Sequence, residues 1–158
     1  MVLKQTDSEE IRWDSSDAFD YEACIEPNIR ELLEAVKIHY RTSMSCEGHI
    51  DQDASYPWIH LGGYQCFENI QNCLDKYNST RKIGWVLCKI GFNLNSKQSV
   101  FRLMPECRLY PLLVENKQRI TASIYIEKLK HLAEETISVE MLQDSAKELA
   151  RYLKNSWS

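Results

Sequence analysis

A thiol, a carboxylate, a glycine and an imidazole occupy four consecutive positions, Cys46-Glu47-Gly48-His49. Two kinds of chemistry suit that grouping. An imidazolium beside Cys46 would lower the thiol pKa and make a thiolate nucleophile, with His49 as base and Glu47 as an orienting acid. Alternatively, Ser45, Glu47 and His49 with the loop amides would hold a small polar or anionic ligand. The bland reading is that Cys46 fills the core, Gly48 serves a turn and His49 is solvated. No Asp or Asn can be assigned to orient His49, which favours binding over catalysis. The ligand-binding set is then Ser45, Cys46, Glu47, Gly48, His49, Tyr56 and Trp58, with Trp58 placed to stack on a planar group.

Metal ligation calls for more donors than this segment supplies. Cys46, His49, His60 and Cys66 have the right chemistry for zinc. If Cys46 pairs with Pro57 across a hairpin, His60 falls opposite Ser43, three strand residues from Cys46 or ~10 Å away. Only Cys46 and His49 remain within reach, so no metal site and no cofactor are expected.

The elements that must position these residues follow from periodicity. A first helix starts at Pro27, with Glu26 and Glu31 at the favourable end of its dipole, and presents Ile29, Leu32, Leu33, Val36 and Tyr40 on one face. Strands follow at about 42–46 and 57–61, joined by a polar loop and closed by Gly62-Gly63. A second helix over roughly 65–77 aligns Phe67, Ile70, Leu74 and Tyr77. Residues 83–92 are apolar on both alternating faces and read as a central strand, with 99–104 as its antiparallel neighbour. After Tyr110-Pro111 the pattern turns helical through Ile120, Ile124, Leu129 and Leu132. It breaks at the β-branched stretch around Ile137 and resumes through Leu142, Ala146, Leu149, Ala150 and Leu153. The order predicts an α+β domain of two layers, a mainly antiparallel four-stranded sheet with helices packed on it.

The run Thr42-Ser43-Met44-Ser45-Cys46-Glu47-Gly48-His49, followed by Tyr56-Pro57-Trp58-Ile59, resembles a Ser-Cys-x-Gly-His motif of small bacterial and phage proteins. There, too, a helix leads into the motif and an aromatic strand follows. It is also similar to the Ser-Ser-Cys-Ser-Gly-Arg segment of the wybutosine tRNA-modifying methyltransferases, with His49 standing where that family has Arg. The resemblance spans about 20 of the 158 residues and implies a strand-turn site.

Size and charge bound the rest. A chain of 158 residues suits one domain with a sizeable core, and no repeat or linker divides it. The net charge of −4 resides in residues 1–20, where six acids face Lys4 and Arg12, leaving residues 21–158 neutral. We expect an acidic, flexible arm over 1–20 and one domain over 21–158. Nucleic acid is a disfavoured partner, because no dense basic run exists. Lys82, Lys89, Lys97, Arg102 and Arg108 read as a solvated sheet face. The first residues lack an apolar run and no stretch approaches ~18 apolar residues, so a cytoplasmic, non-membrane protein is expected. Six cysteines spread among helical and strand patterns read as reduced thiols, mostly buried. The partner expected is a small polar ligand or a protein, and an adaptor role for the acidic arm and the last two helices is a further alternative.

Overall fold

The structure, a computed structural model, describes residues 25–49, 55–62, 67–93, 98–116 and 123–157. The arm predicted over 1–20 lies outside them, as do Cys24, Cys66, Lys97 and Ile120. Helix α1 (Pro27–Lys37) begins where proline predicts, since the missing N–H is one the first helical turn leaves unbonded anyway. It buries Ile29, Leu32, Leu33, Ala35 and Val36. Then come β1 (Arg41–Cys46), β2 (Trp58–Gly62), α2 (Phe67–Thr80), β3 (Trp85–Asn93) and β4 (Gln98–Pro105). A 3-10 turn (Glu106–Arg108) leads into α3 (Leu109–Glu115), α4 (Ser123–Glu134) and α5 (Val139–Trp157). Among the described residues, no helix is long and apolar enough to cross a membrane.

The four strands form one sheet in the order β1-β2-β4-β3, antiparallel throughout. The fold class is α+β, as the alternation of patterns predicts. Side chains alternate between the two faces. On one face Ile59, Leu61, Trp85, Leu87 and Leu103 meet Leu32 of α1, Leu74 and Tyr77 of α2, and Leu149 and Leu153 of α5. The helical cover is not confined to that face. Cys88, Ile90, Val100 and Met104 on the other pack under Leu109 and Leu113 of α3 and Leu129 of α4. That explains why β3 is apolar on both alternating sets of positions.

The β1–β2 register departs from the expected hairpin. Thr42 pairs with Leu61, which with regular alternation would set Cys46 opposite Pro57. Instead the register shifts between Thr42 and Ser45, and Cys46 pairs with Trp58. One extra residue is accommodated in β1, a bulge that buries Thr42 and leaves Met44 exposed. A slip of one residue exchanges the faces, so Cys46 leaves the side that packs on α1 and sits on the side of Trp58. Ser45, opposite Ile59, takes the other face.

Candidate functional site

Three side chains meet where β1 ends beside the first turn of α1. His49 Nε2 lies 3.6 Å from Cys46 Sγ and 3.4 Å from Glu26 Oε2. The three donor atoms all fall within 4.8 Å of one another. Each group is only partly buried, so the cluster opens to solvent.

Local backbone chemistry fixes every member. Glu26 is the N-cap of α1, but its side chain does not bond its own helix. Its Oε1 accepts the Glu47 N–H at 3.0 Å, while Glu47 Oε1 accepts the Asn28 N–H at 3.0 Å. The two acids therefore cap each other's segments, satisfying an orphan donor of the helix and one of the loop. Gly48 turns the chain at φ +82°, a left-handed conformation that suits glycine, and its N–H points at Cys46 Sγ, 3.4 Å away. A Cβ at Gly48 would come within 3.1 Å of the Tyr56 carbonyl carbon and of Val139 Cγ1. Ser55 Oγ accepts the His49 N–H. From α5, the Gln143 amide donates to the carbonyls of Glu47 at 3.1 Å and Gly48 at 3.2 Å.

The electrostatics work against a nucleophilic thiol. Burial pushes the Cys46 pKa above its ordinary value. The Gly48 N–H pulls it down, and the carboxylates of Glu26 and Glu47 push it up further. The role expected for Glu47 also changes: its carboxylate is taken by Asn28, and the acid at the imidazole is Glu26. Among the described residues, the two partners of the imidazole, Cys46 and Glu26, both lie at Nε2. A nucleophile-base-acid relay would distribute them over Nε2 and Nδ1.

Of the seven residues predicted to bind, the structure brings together Cys46, Gly48 and His49, with Glu47 as a brace. Ser45 points to the opposite face of β1. Tyr56 and Trp58 belong to a second constellation centred on Arg102. The guanidinium of Arg102 donates to His60 Nε2 at 3.0 Å and to the Tyr56 hydroxyl at 2.8 Å, and lies 4.6 Å from the centre of the Trp58 ring. Trp58 stacks on His60 at 4.4 Å between centroids. Arg102 is thus a half-buried group held within the β2–β4 pair, where a wholly solvated face is expected from the sequence. Arg108 likewise donates to the Ile137 carbonyl at 2.8 Å. His60 is buried with its pKa lowered to about 3, chiefly by desolvation and then by the Arg102 charge. His60 faces Arg102 across the sheet and takes no part in the Cys46 cluster.

Trp85 is core, as expected, its indole N–H donating to Ser145 Oγ at 2.9 Å. His39 packs edge-on against Trp157 at a cleft of about 260 Å³ also lined by Tyr40, Asn69, Asn72 and Cys73. The described cysteines, Cys46, Cys73, Cys88 and Cys107, are free thiols.

Sequence reasoning missed Glu26 and Gln143. A signal for Glu26 was present: glutamate is longer than the Ser, Thr, Asp or Asn that cap their own helices well, so at an N-cap its carboxylate is available to another segment. Gln143 left no signal, because a polar residue at the start of a helix is ordinary. No family model, curated protein or solved structure matches the chain.

Proposed function

We propose that this chain is a binding module whose site is the mouth formed by Glu26, Cys46 and His49 over the Glu47-Gly48 turn, and that it takes a small cationic ligand. The observation that carries this reading is the convergence of a carboxylate oxygen, a sulfur and an imidazole nitrogen on one solvent-facing point, with a second carboxylate, Glu47, beside it. Such a set of lone-pair donors attracts positive charge and repels the anions that loop amides alone would favour. The ligand is therefore of opposite sign to the anionic alternative raised from the sequence.

A thiol-dependent enzyme using Cys46 and His49 is the competing reading. The 3.6 Å contact between them favours it. The protonated state of the thiol and the crowding of both partners onto one imidazole nitrogen count against it. An adaptor role has less support. Among the described residues, the exposed large apolar side chains Ile38, Met44, Val114 and Met141 are scattered over the turn after α1, β1, α3 and α5.

Amide NMR of the full chain tests the reading with three probes: spermidine, inorganic phosphate and a divalent cation. Saturable shifts at the Glu47, Gly48 and His49 amides are expected with at least one cationic probe and not with phosphate. Shifts from phosphate alone, or from none of the three, would sink it.

A further inference from the structure

We infer that the Glu26, Cys46 and His49 cluster is a three-ligand site for a divalent transition-metal ion of the zinc type, with a fourth position open to solvent. The inference rests on the binding-site reading above and narrows its ligand to one class.

Zinc bonds of about 2.3 Å to thiolate sulfur, 2.0–2.1 Å to imidazole nitrogen and 2.0–2.2 Å to carboxylate oxygen, opened at the tetrahedral angle, separate sulfur from nitrogen by about 3.6 Å and nitrogen from oxygen by about 3.4 Å. The corresponding separations here are 3.6 Å for Cys46 Sγ to His49 Nε2 and 3.4 Å for His49 Nε2 to Glu26 Oε2. A hydrogen-bonded thiol and imidazole need not bring a carboxylate oxygen to the same nitrogen. Three ligand atoms of one tetrahedron must.

In metal sites the residue behind each ligand fixes its orientation. Glu26 Oε1 is held by the Glu47 N–H, which leaves Oε2 free to coordinate. Cys46 Sγ receives the Gly48 N–H, a contact that stabilises a thiolate. The His49 backbone is tied to Ser55, and the two carbonyls between the ligands are pinned by Gln143. The turn needs only small motion to close on an ion.

Sulfur and imidazole nitrogen select borderline-soft ions, whereas Mg²⁺ and Ca²⁺ require shells of oxygen. The expectation of no metal counted only Cys46 and His49 within reach. Glu26, 20 positions before Cys46, supplies the third donor from α1. With His49 38% and Glu26 31% exposed, the side away from the protein admits water or substrate. Three protein ligands with an open fourth position is the pattern of sites that act on a bound molecule. Coordination displaces the thiol proton to solvent.

The test is a titration of chelator-stripped, full-length, reduced protein with Co²⁺, followed by displacement with Zn²⁺. One equivalent of Co²⁺ should produce a thiolate-to-cobalt charge-transfer band that Zn²⁺ abolishes and that Mg²⁺ and Ca²⁺ leave unchanged. Cys46→Ser should remove the band. Glu26→Gln, which keeps the acceptor for the Glu47 N–H, and His49→Gln should each weaken binding at least tenfold while leaving the far-ultraviolet circular dichroism unaltered. No band in wild type, a band that survives Cys46→Ser, or undiminished affinity in Glu26→Gln would overturn the inference. If Co²⁺ and Zn²⁺ leave the Glu47 and Gly48 amides unmoved while spermidine shifts them, the metal falls and the cation-binding reading stands. If neither moves them, both fall.

Discussion

Gly48 is the residue on which the site's shape turns, because its left-handed φ and the close approach of Tyr56 and Val139 both exclude a side chain. Gly48→Ala should destabilise the fold by about 1–3 kcal/mol, the usual range for strain at such a position. Urea unfolding would measure this, and an unchanged midpoint would show that the turn relaxes freely. Cys46 offers a second test. Because burial and two carboxylates keep its proton on, its iodoacetamide labelling at neutral pH should be no faster than that of an ordinary thiol of pKa ~8.5. Peptide mapping across a pH series, in wild type and His49→Ala, reads it out. Labelling near pH 6 that vanishes in His49→Ala would restore the thiol-enzyme reading. At this scale the sequence disclosed Cys46, Gly48 and His49, which are neighbours along the chain. It concealed Glu26, whose proximity depends on how α1 is laid against β1.

The elements were legible where hydrophobic period decides them. Pro27, the clean stripe of α5 and the doubly apolar β3 each have one physical cause, and the structure places those elements within a few residues of expectation. The bulge in β1 was not legible, since Thr42-Ser43-Met44-Ser45 carries no glycine and no break in alternation to announce an extra residue. Its effect is large, because it decides which face Cys46 joins. The junction of α2 and β3 shows another device hidden from pattern. Trp85 stands opposite Pro105, and the adjacent ladder bond, from the Glu106 N–H to the Gly84 carbonyl at 2.9 Å, turns the N–H and carbonyl of Trp85 away from β4 toward the edge of the sheet. Asn78 satisfies both edge-facing groups, donating from Nδ2 to that carbonyl and accepting the Trp85 N–H at Oδ1, both at 2.9 Å. Asn78→Ala should therefore cost about 2–3 kcal/mol, since it leaves a half-buried donor and acceptor without partners. Thermal or urea unfolding would report it, and a loss below about 0.5 kcal/mol, within the range of ordinary surface changes, would mean that water replaces the amide fully.

For the molecule as a whole, acid stability should be governed in part by His60. Its folded pKa of about 3 lies below the ordinary 6.5, so the folded chain keeps the ring neutral while the unfolded chain takes up a proton. The stability it contributes is present above pH 6.5 and is lost as pH falls from there toward 3, by up to about 1.4 kcal/mol per unit. His60→Gln should lower stability at pH 7 yet flatten this dependence, losing about 2 kcal/mol less than wild type between pH 7 and pH 5. Parallel pH profiles for the two proteins would show that the folded His60 accepts a proton.

The clamp that Gln143 places on the Gly48 carbonyl joins positions 95 residues apart. On a ribosome adding roughly 5–20 residues per second, Cys46 and His49 are polymerised roughly 5–20 s before the residue that pins their turn. Helix α1 and β1 can meet in that interval, but the carbonyls between the ligands stay unfastened until α5 emerges and folds back. Nascent chains thus pass through a period in which the thiol and imidazole are present without their final restraint. Translation between codons 48 and 143 therefore sets the earliest time at which this site can close, and a pause within α5 would prolong the exposure of Cys46 without altering the finished protein.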